Sequence, residues 1–424
     1  MIEAVLERCA GIDVGKKYVV CCLMMGAADA KATEQIRQYN TTVAELEQMR
    51  DWLLEHQCTH VAMESTGPYW KPVFNLLEKH FTVILANAQQ VKSLPGKKTD
   101  RKDGRRLAHF LRHNLIEASF IPPLAIRQLR DLTRRRRKLL GHGASERNRV
   151  QKVLEDANVK LGNVLSDVFG ASGQLMLEAL LAKQSTPEQI AELARGSLRK
   201  KVPAIVTALQ EHRMTDHHRF LIRQSLDHMA FLEGQVALLD EEILRQLKPF
   251  EQQFQNLQTI PGIKATAAAS ILAEVGVDMK QFPTAHHLAS WAGICPGNNE
   301  TAGKQKSTHV RKGDPWLRGI LTESAWAASR KKGSSFAARF QRLAPHRGQK
   351  RALVALGHNL LIVVYQILLT GQRYQELGST YWEQRDQQAR IRHHLRCLRA
   401  LGAFLPETDS VSDSYSAAIE LDPS

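Results

Sequence analysis

Cysteine is scarce and never paired in a CxxC motif: Cys9, Cys21, Cys22, Cys58, Cys295 and Cys397 are the six in 424 residues. That spacing excludes a disulfide framework and a thiolate zinc site, and points to reduced thiols and a cytoplasmic location. The first ten residues carry acids and no long apolar run, so no secretory signal is expected. Long uninterrupted apolar stretches are also missing. The best late one, Leu353 to Leu369, is broken by Gly357, His358, Asn359 and Gln366, which favours a buried helix over a membrane span. No basic amphipathic segment with an aromatic edge stands out, so a membrane surface is not the expected partner. Acids themselves are in short supply. With 43 Asp plus Glu against 58 Lys plus Arg, the formal charge is +15, and the expected partner is a polyanion, nucleic acid first.

The length suits two to three domains. The first reads as α/β. Cys9 to Val14 and Tyr18 to Met25 are β-rich runs about a tight turn at Gly15 and Lys16, and a third strand is expected near Gln35 to Tyr39. A helix from about Thr42 to His56 follows, with Leu46, Met49 and Leu53 on its inner face. Then come a strand His60 to Glu64, a helix Tyr69 to Lys79, a strand Phe81 to Ala86 and a closing helix Asp103 to Arg112.

Acids stand at telling places in that order. Asp13 lies on the first strand, Glu64 ends the fourth, and Asp100 and Asp103 lie at the last helix, spaced i, i+3 so that both point the same way if helical. Singly, each is an ordinary turn, strand-end or helix-start residue. Together, carboxylates on three separate elements suggest convergence on a hard divalent cation. Lys97, Lys98, Arg101, Lys102 and Arg105 surround the last two and suit a phosphate backbone.

Three motifs in this order, Gly11-Ile12-Asp13-Val14-Gly15-Lys16, Met63-Glu64-Ser65-Thr66-Gly67 with Tyr69-Trp70, and Lys98-Thr99-Asp100-Arg101-Lys102-Asp103, resemble the DEDD tetrad of the IS110 family of insertion-sequence transposases. The resemblance implies an RNase H-like, RuvC-like fold for residues 1–123, with Asp13, Glu64, Asp100 and Asp103 holding Mg²⁺ or Mn²⁺. It also implies action on donor and target DNA, a structured guide RNA, and assembly as homodimers that join into tetramers.

The middle, residues 124–256, is expected to be helical. Arg127, Arg130, Arg134, Arg135, Arg136, Arg137 and Lys138 make a basic helix with only Asp131 interleaved, suited to a backbone groove. Met229, Leu232, Val236, Leu239 and Ile243 repeat by three and four like a coiled-coil seam, whose partner is either the basic helix folded back or another protomer. Residues 161–213 read as further helices without evident chemistry.

Residues 257–372 read as a second, mainly helical domain. Ile260-Pro261-Gly262-Ile263-Lys264 before an Ala-rich helix resembles a helix-hairpin-helix turn, in which Gly262 and Lys264 meet a phosphate, and equally a plain Pro-Gly turn. Lys304, Lys306, Arg311 and Lys312 form a cationic loop. The family's serine nucleophile precedes a small-Gly-Lys step, and the matching position is Thr301. Threonine keeps the hydroxyl, but its β-branch fixes χ1 and crowds in-line attack. Ser307 is the second candidate. Residues 373–424 read as a polar helix and a disordered Ser-rich, acidic tail.

The preferred reading is thus a DNA transposase or recombinase in which Thr301 forms a covalent protein-DNA intermediate. An RNase H-like resolvase or nuclease using water is the alternative, and predicts free ends. The first motif also resembles the phosphate loop of actin-type ATPases, with no convincing second loop. A non-catalytic nucleic-acid-binding protein would tolerate Asp13→Asn.

Overall fold

The computed structural model describes residues 5–64, 67–86, 100–116, 118–183, 185–295, 299–301, 304–307 and 313–382, with single positions between 384 and 397. At 100–102, 299–301 and 304–307 it describes the backbone alone. Two units result, 1–121 and 122–424.

The first unit is a mixed five-stranded sheet with helices on both faces. Its strands are β1 (Arg8–Val14), β2 (Tyr18–Met25), β3 (Thr33–Asn40), β4 (His60–Glu64) and β5 (Thr82–Ala86). Their order across the sheet is β3-β2-β1-β4-β5, with β2 antiparallel to both β1 and β3, and β4 and β5 parallel to β1. The helices are α1 (Val43–Glu55), α2 (Trp70–Leu77) and α3 (Asp100–Arg112). The last begins one turn earlier than the expected start at Asp103.

Strand alternation decides which residues face which helices. Ala10, Ile12 and Val14 pack with Val61, Met63 and the inner stripes of α1 and α2, including Leu46, Met49, Leu53, Phe74 and Leu77. Cys9, Cys22 and Ala62 turn the other way and meet Leu107, Ala108 and Leu111 of α3. Buried apolar side chains on both faces stabilise the sheet by roughly 1.5–3 kcal/mol each relative to exposure.

The second unit is helical. Two long helices, α4 (Leu124–Asp156) and α9 (Asp216–Leu247), form an antiparallel hairpin. Contacts Arg136 to Asp240, His228 to Glu146 and His218 to Asp156 mark successive levels along it. The seam residues of α9 therefore find their partner in α4, the basic helix of the same chain. Between the two, α5 (Leu161–Val164), α6 (Ala171–Ala182), α7 (Pro187–Glu192) and α8 (Val202–Leu209) bring Met176, Leu177 and Ile205 into one core with Val150 and Leu154 of α4 and Ile222 and Met229 of α9.

Beyond the hairpin lie α10 (Glu251–Gln258), α11 (Ala265–Val275), α12 (Ala285–Trp291), α13 (Pro315–Ala328), α14 (Ser335–Arg347) and α15 (Gln349–Thr370). A short ribbon, β6 (Asn299–Thr301) and β7 (Lys304–Ser307), interrupts them. α15 is long and apolar enough to cross a membrane, yet two thirds of its apolar stretch (67%) is buried against α12, α13 and α14. It is the core helix of this part of the unit. The chain then runs without helix from Gly371 to Gly378, and Trp382, 6% exposed, donates its indole N–H to the Ser335 carbonyl.

Candidate active site

Backbone pairing sets three of the four expected acids at one end of the sheet, although among the described residues no three His, Cys, Asp or Glu side chains come close enough to hold a metal ion. Ile12 of β1 lies opposite Met63 of β4 in parallel register, so the next residues, Asp13 and Glu64, end neighbouring strands side by side. Both belong to the alternation that faces α3.

α3 runs antiparallel to β1. Near its C-terminus, Val5 and Leu6 donate their N–H groups to the Arg112 carbonyl; further along, the Cys9 thiol donates to the Ala108 carbonyl. At the other end two glycines touch backbone to backbone. A methyl group on Gly11 would lie 2.1 Å from the Gly104 oxygen, and one on Gly104 would lie 3.6 Å from the Asp13 nitrogen. The first turn of α3 thus lies over the ends of β1 and β4, and Asp103 immediately precedes the contact. Asp13, Glu64 and Asp103 are all half-buried. Asp100 is the first residue of the helix, known by its backbone.

Arg112 fixes the far end of α3. It is 3% exposed and donates to the carbonyls of Glu7, Gly26, Ala27 and Ala30. Burial pushes the neighbouring thiols up, Cys9 to about 11 and Cys22 to about 12, so neither supplies a thiolate here.

The expected nucleic-acid contacts divide. Lys97, Lys98, Arg311 and Lys312 lie outside the described residues, and Arg101, Lys102, Lys304 and Lys306 are known by backbone position only. Arg105 is exposed and pairs with Glu34 at 2.7 Å. The basic run of α4 is more neutralised than the sequence suggests, because other helices supply the acids. Arg134 makes a two-pronged contact with Glu274, at 2.7 and 2.8 Å, and reaches Asp314 at 3.1 Å. Arg136 pairs with Asp240, and Arg137 with Glu323. Arg135 and Lys138 are exposed. Glu274 is 2% exposed; burial pushes its carboxyl up, and the Arg134 hydrogen bond draws it back. Gly262, at φ +85°, has a packing reason: a methyl there would lie 2.3 Å from the Ser324 oxygen of α13. Lys264 is exposed beside it, at the start of α11.

Thr301 ends β6 and pairs in register with Lys304, the first residue of β7. Ser307 ends β7; the side chains of both candidates lie outside the described atoms. The segment carrying them is closed at its base. A methyl on Gly313 would lie 2.3 Å from the Gly293 nitrogen. Next to it, Asp314 caps α13 by accepting from the Trp316 and Leu317 N–H groups at 2.8 and 3.1 Å, while also meeting Arg134. Sequence reading missed Glu274 and Asp314. A lone acid at the end of the otherwise apolar Ala265–Val275 helix, and an Asp before Pro315, were the available signals.

Residues 10–159 match the family model of the IS110 DEDD transposase, described as "Transposase", and residues 254–341 match the model described as "Transposase IS116/IS110/IS902 family". The chain belongs to the IS110 family of transposases. Among its relatives, y4pF/y4sB of Sinorhizobium fredii, which bears the name of a transposase, is 25% identical over 216 residues, 49% of each chain. The transposase for insertion sequence element IS1111A of Coxiella burnetii is 28% identical over 138 residues, 32% of this chain and 38% of that protein. An IS110 insertion-element protein of Streptomyces coelicolor is 30% identical over 120 residues, 28% of this chain and 29% of its own. The matches span half or less of the curated relatives' length. The first IS110 family match takes in Asp13, Glu64, Asp100 and Asp103, and the second takes in Thr301.

Proposed function

We propose that this chain is a DNA transposase of an insertion sequence, cutting and rejoining strands at a site built from Asp13, Glu64, Asp100 and Asp103. The observation that supports the reading is the backbone placement of Asp13, Glu64 and Asp103 at one end of the sheet, set by the β1 to β4 register and the Gly11 to Gly104 contact. The strand order β3-β2-β1-β4-β5, with three antiparallel strands first, supports an RNase H-like fold.

By the chemistry of their donors the four carboxylates suit a hard divalent cation, Mg²⁺ or Mn²⁺, because carboxylate oxygens are the ligands such ions take. Asp13, Glu64, Asp100 and Asp103 would hold the ion, which would supply polarisation of the scissile phosphate and offset charge on the departing oxygen. The basic residues around them bind the flanking backbone.

Thr301 is the proposed nucleophile. Its Oγ1 forms a bond to phosphorus as one sugar oxygen leaves; the threonine proton passes to solvent and the leaving oxygen takes one up. One phosphodiester replaces another, so rejoining is the same exchange in reverse and needs no external energy source. In this reading residues 1–123 carry the acids, 124–256 the helical and dimerisation region, 257–372 the nucleophile loop and 373–424 the tail. Homodimers that join into tetramers and a structured guide RNA are part of the proposal, resting on the family resemblance.

The test is strand exchange and protein-linked DNA, scored on denaturing gels with labelled substrate for Thr301→Ala, Thr301→Ser and Ser307→Ala. Loss of both signals in Thr301→Ala alone, with Thr301→Ser active, is the expected result. Full activity in Thr301→Ala removes Thr301 from the chemistry; free ends without protein-linked DNA favour the water-using nuclease. Sequencing the RNA that copurifies with the chain tests the guide.

A further inference from the structure

The basic run of α4 is answered by acids from other helices, but a second basic stretch of the same unit is not. Between Glu323 and Glu376 the chain holds nine Lys and Arg and no Asp or Glu. Six of those cations form two groups at the ends of α14. Arg330, Lys331 and Lys332 lie in the turn that enters it, and Arg347, Lys350 and Arg351 lie at the corner where it meets α15. All six are exposed, and none has a carboxylate partner among the described residues. The 13 residues of α14 set the two groups roughly 20 Å apart at the usual rise.

Local helix energetics account for only part of this. Cations just past α13 and in the last turn of α14 offset the carbonyl ends of those helices. Lys350 and Arg351 stand in the first turn of α15, where the helix dipole opposes them. The corner also projects: from Ala338 to Arg351 no residue is buried, although all but Gly348 are helical. Such an element attracts a polyanion.

The neighbouring aromatic rings narrow the class of polyanion. Trp326 is 39% exposed, but the Arg330 guanidinium lies 4.4 Å from its ring centre and Phe340 meets it edge-on at 6.4 Å. The indole supports Arg330 and is no open platform for the unstacked bases of a single strand. A duplex needs no platform, since its bases are already stacked and its phosphates are what a cation meets. The span of α14 matches about six base pairs at 3.4 Å each.

We propose that the turn 330–332 and the corner 347–351 bind the phosphate backbone of duplex DNA without regard to sequence. The choice of DNA over RNA rests on the reading of the chain as a DNA transposase. The six residues belong neither to the acid cluster nor to the stretch that carries Thr301.

The experiment measures fluorescence anisotropy of a short labelled DNA duplex of arbitrary sequence against the full-length chain, over a series of salt concentrations. EDTA is present so that no strand is cut. Each phosphate contact adds about 0.9 to the slope of log affinity against log salt. Lys331→Gln with Lys332→Gln should therefore flatten the slope by about 2, and Arg347→Gln with Lys350→Gln and Arg351→Gln by about 3. Each set should weaken binding at low salt by about tenfold or more and leave the melting temperature unchanged. Arg199→Gln with Lys200→Gln, exposed cations of the short 3₁₀ turn before α8, controls for net charge and should leave the slope as it was. The proposal is overturned if either set keeps the starting slope or if the control flattens it as much. It is also overturned if a single strand or an RNA duplex loses as much affinity as the DNA duplex. Strand exchange is not read here, so the Thr301 series stands or falls separately.

Discussion

The acid cluster of the first unit and the hydroxyl-bearing segment of the second are built by opposite means. Asp13, Glu64 and Asp103 inherit their places from continuous strand pairing and one helix, so every ladder hydrogen bond between β1 and β4 helps set their spacing. Thr301 sits on a ribbon of two short strands, and among the described residues its segment is tied at the base, through Gly293, Gly313 and Asp314. Like charges brought together need a rigid frame, because their mutual repulsion opposes the arrangement. A single hydroxyl carries no such cost, and a local tether is enough.

The largest expected effect is on chemistry. Asp13→Asn or Glu64→Gln should cut strand exchange by roughly a thousandfold or more, several kcal/mol of transition-state stabilisation. The melting temperature should hold, since both acids are half-buried at strand ends and outside the apolar core. A melting temperature that falls with activity would mean that these acids stabilise the fold instead. Gly11→Ala should come next, destabilising the first unit by about 3 kcal/mol or more in urea unfolding, since the added methyl meets backbone that cannot yield. Gly313→Ala, whose neighbours Ala292 and Gly293 are also backbone, should cost less because a loop base can shift. Equal losses would show the tether to be as rigid as the sheet.

Within the second unit, Glu274→Ala should cost about 2–3 kcal/mol, because it leaves Arg134 with Asp314 alone and Arg130 with backbone carbonyls alone. The exposed pair is the control: Glu323→Ala should cost under about 1 kcal/mol by the same measurement. The smallest effect is in thiol labelling. At pH 8 Cys9, Cys22 and Cys58, pushed by burial to about 11, 12 and 12, should stay unmodified until the chain unfolds, while exposed Cys397 reacts at once. Their protection should weaken only as the pH climbs toward those values, since the thiolate is the reactive form. Mass spectrometry after alkylation reads both.

The strands and helices of the first unit were legible because period-two and period-three-to-four patterns are local, and the acids because a carboxylate at the end of an apolar strand is conspicuous. The mutual grip of Gly11 and Gly104 was not, since neither residue advertises a partner 93 positions away. The same holds for the arginines of α4. Read along the helix they look unopposed, whereas Glu274, Asp314, Asp240 and Glu323 reach them from elements more than 100 residues on. Trp382 gave no periodic signal because it follows an irregular stretch, Gly371 to Gly378, beyond the last long helix. Thr301 came from family resemblance alone, as its short ribbon has too few residues to show a pattern.

The grip of Arg112 on four carbonyls has a mechanical meaning. Twelve residues of helix separate it from Asp100, roughly 18 Å at the usual rise. α3 is therefore clamped at two points, by Arg112 near one end and where Gly104 rests on Gly11 near the other, with Asp103 next to the second. The setting of that acid is entrusted to two residues that carry no charge and no side chain.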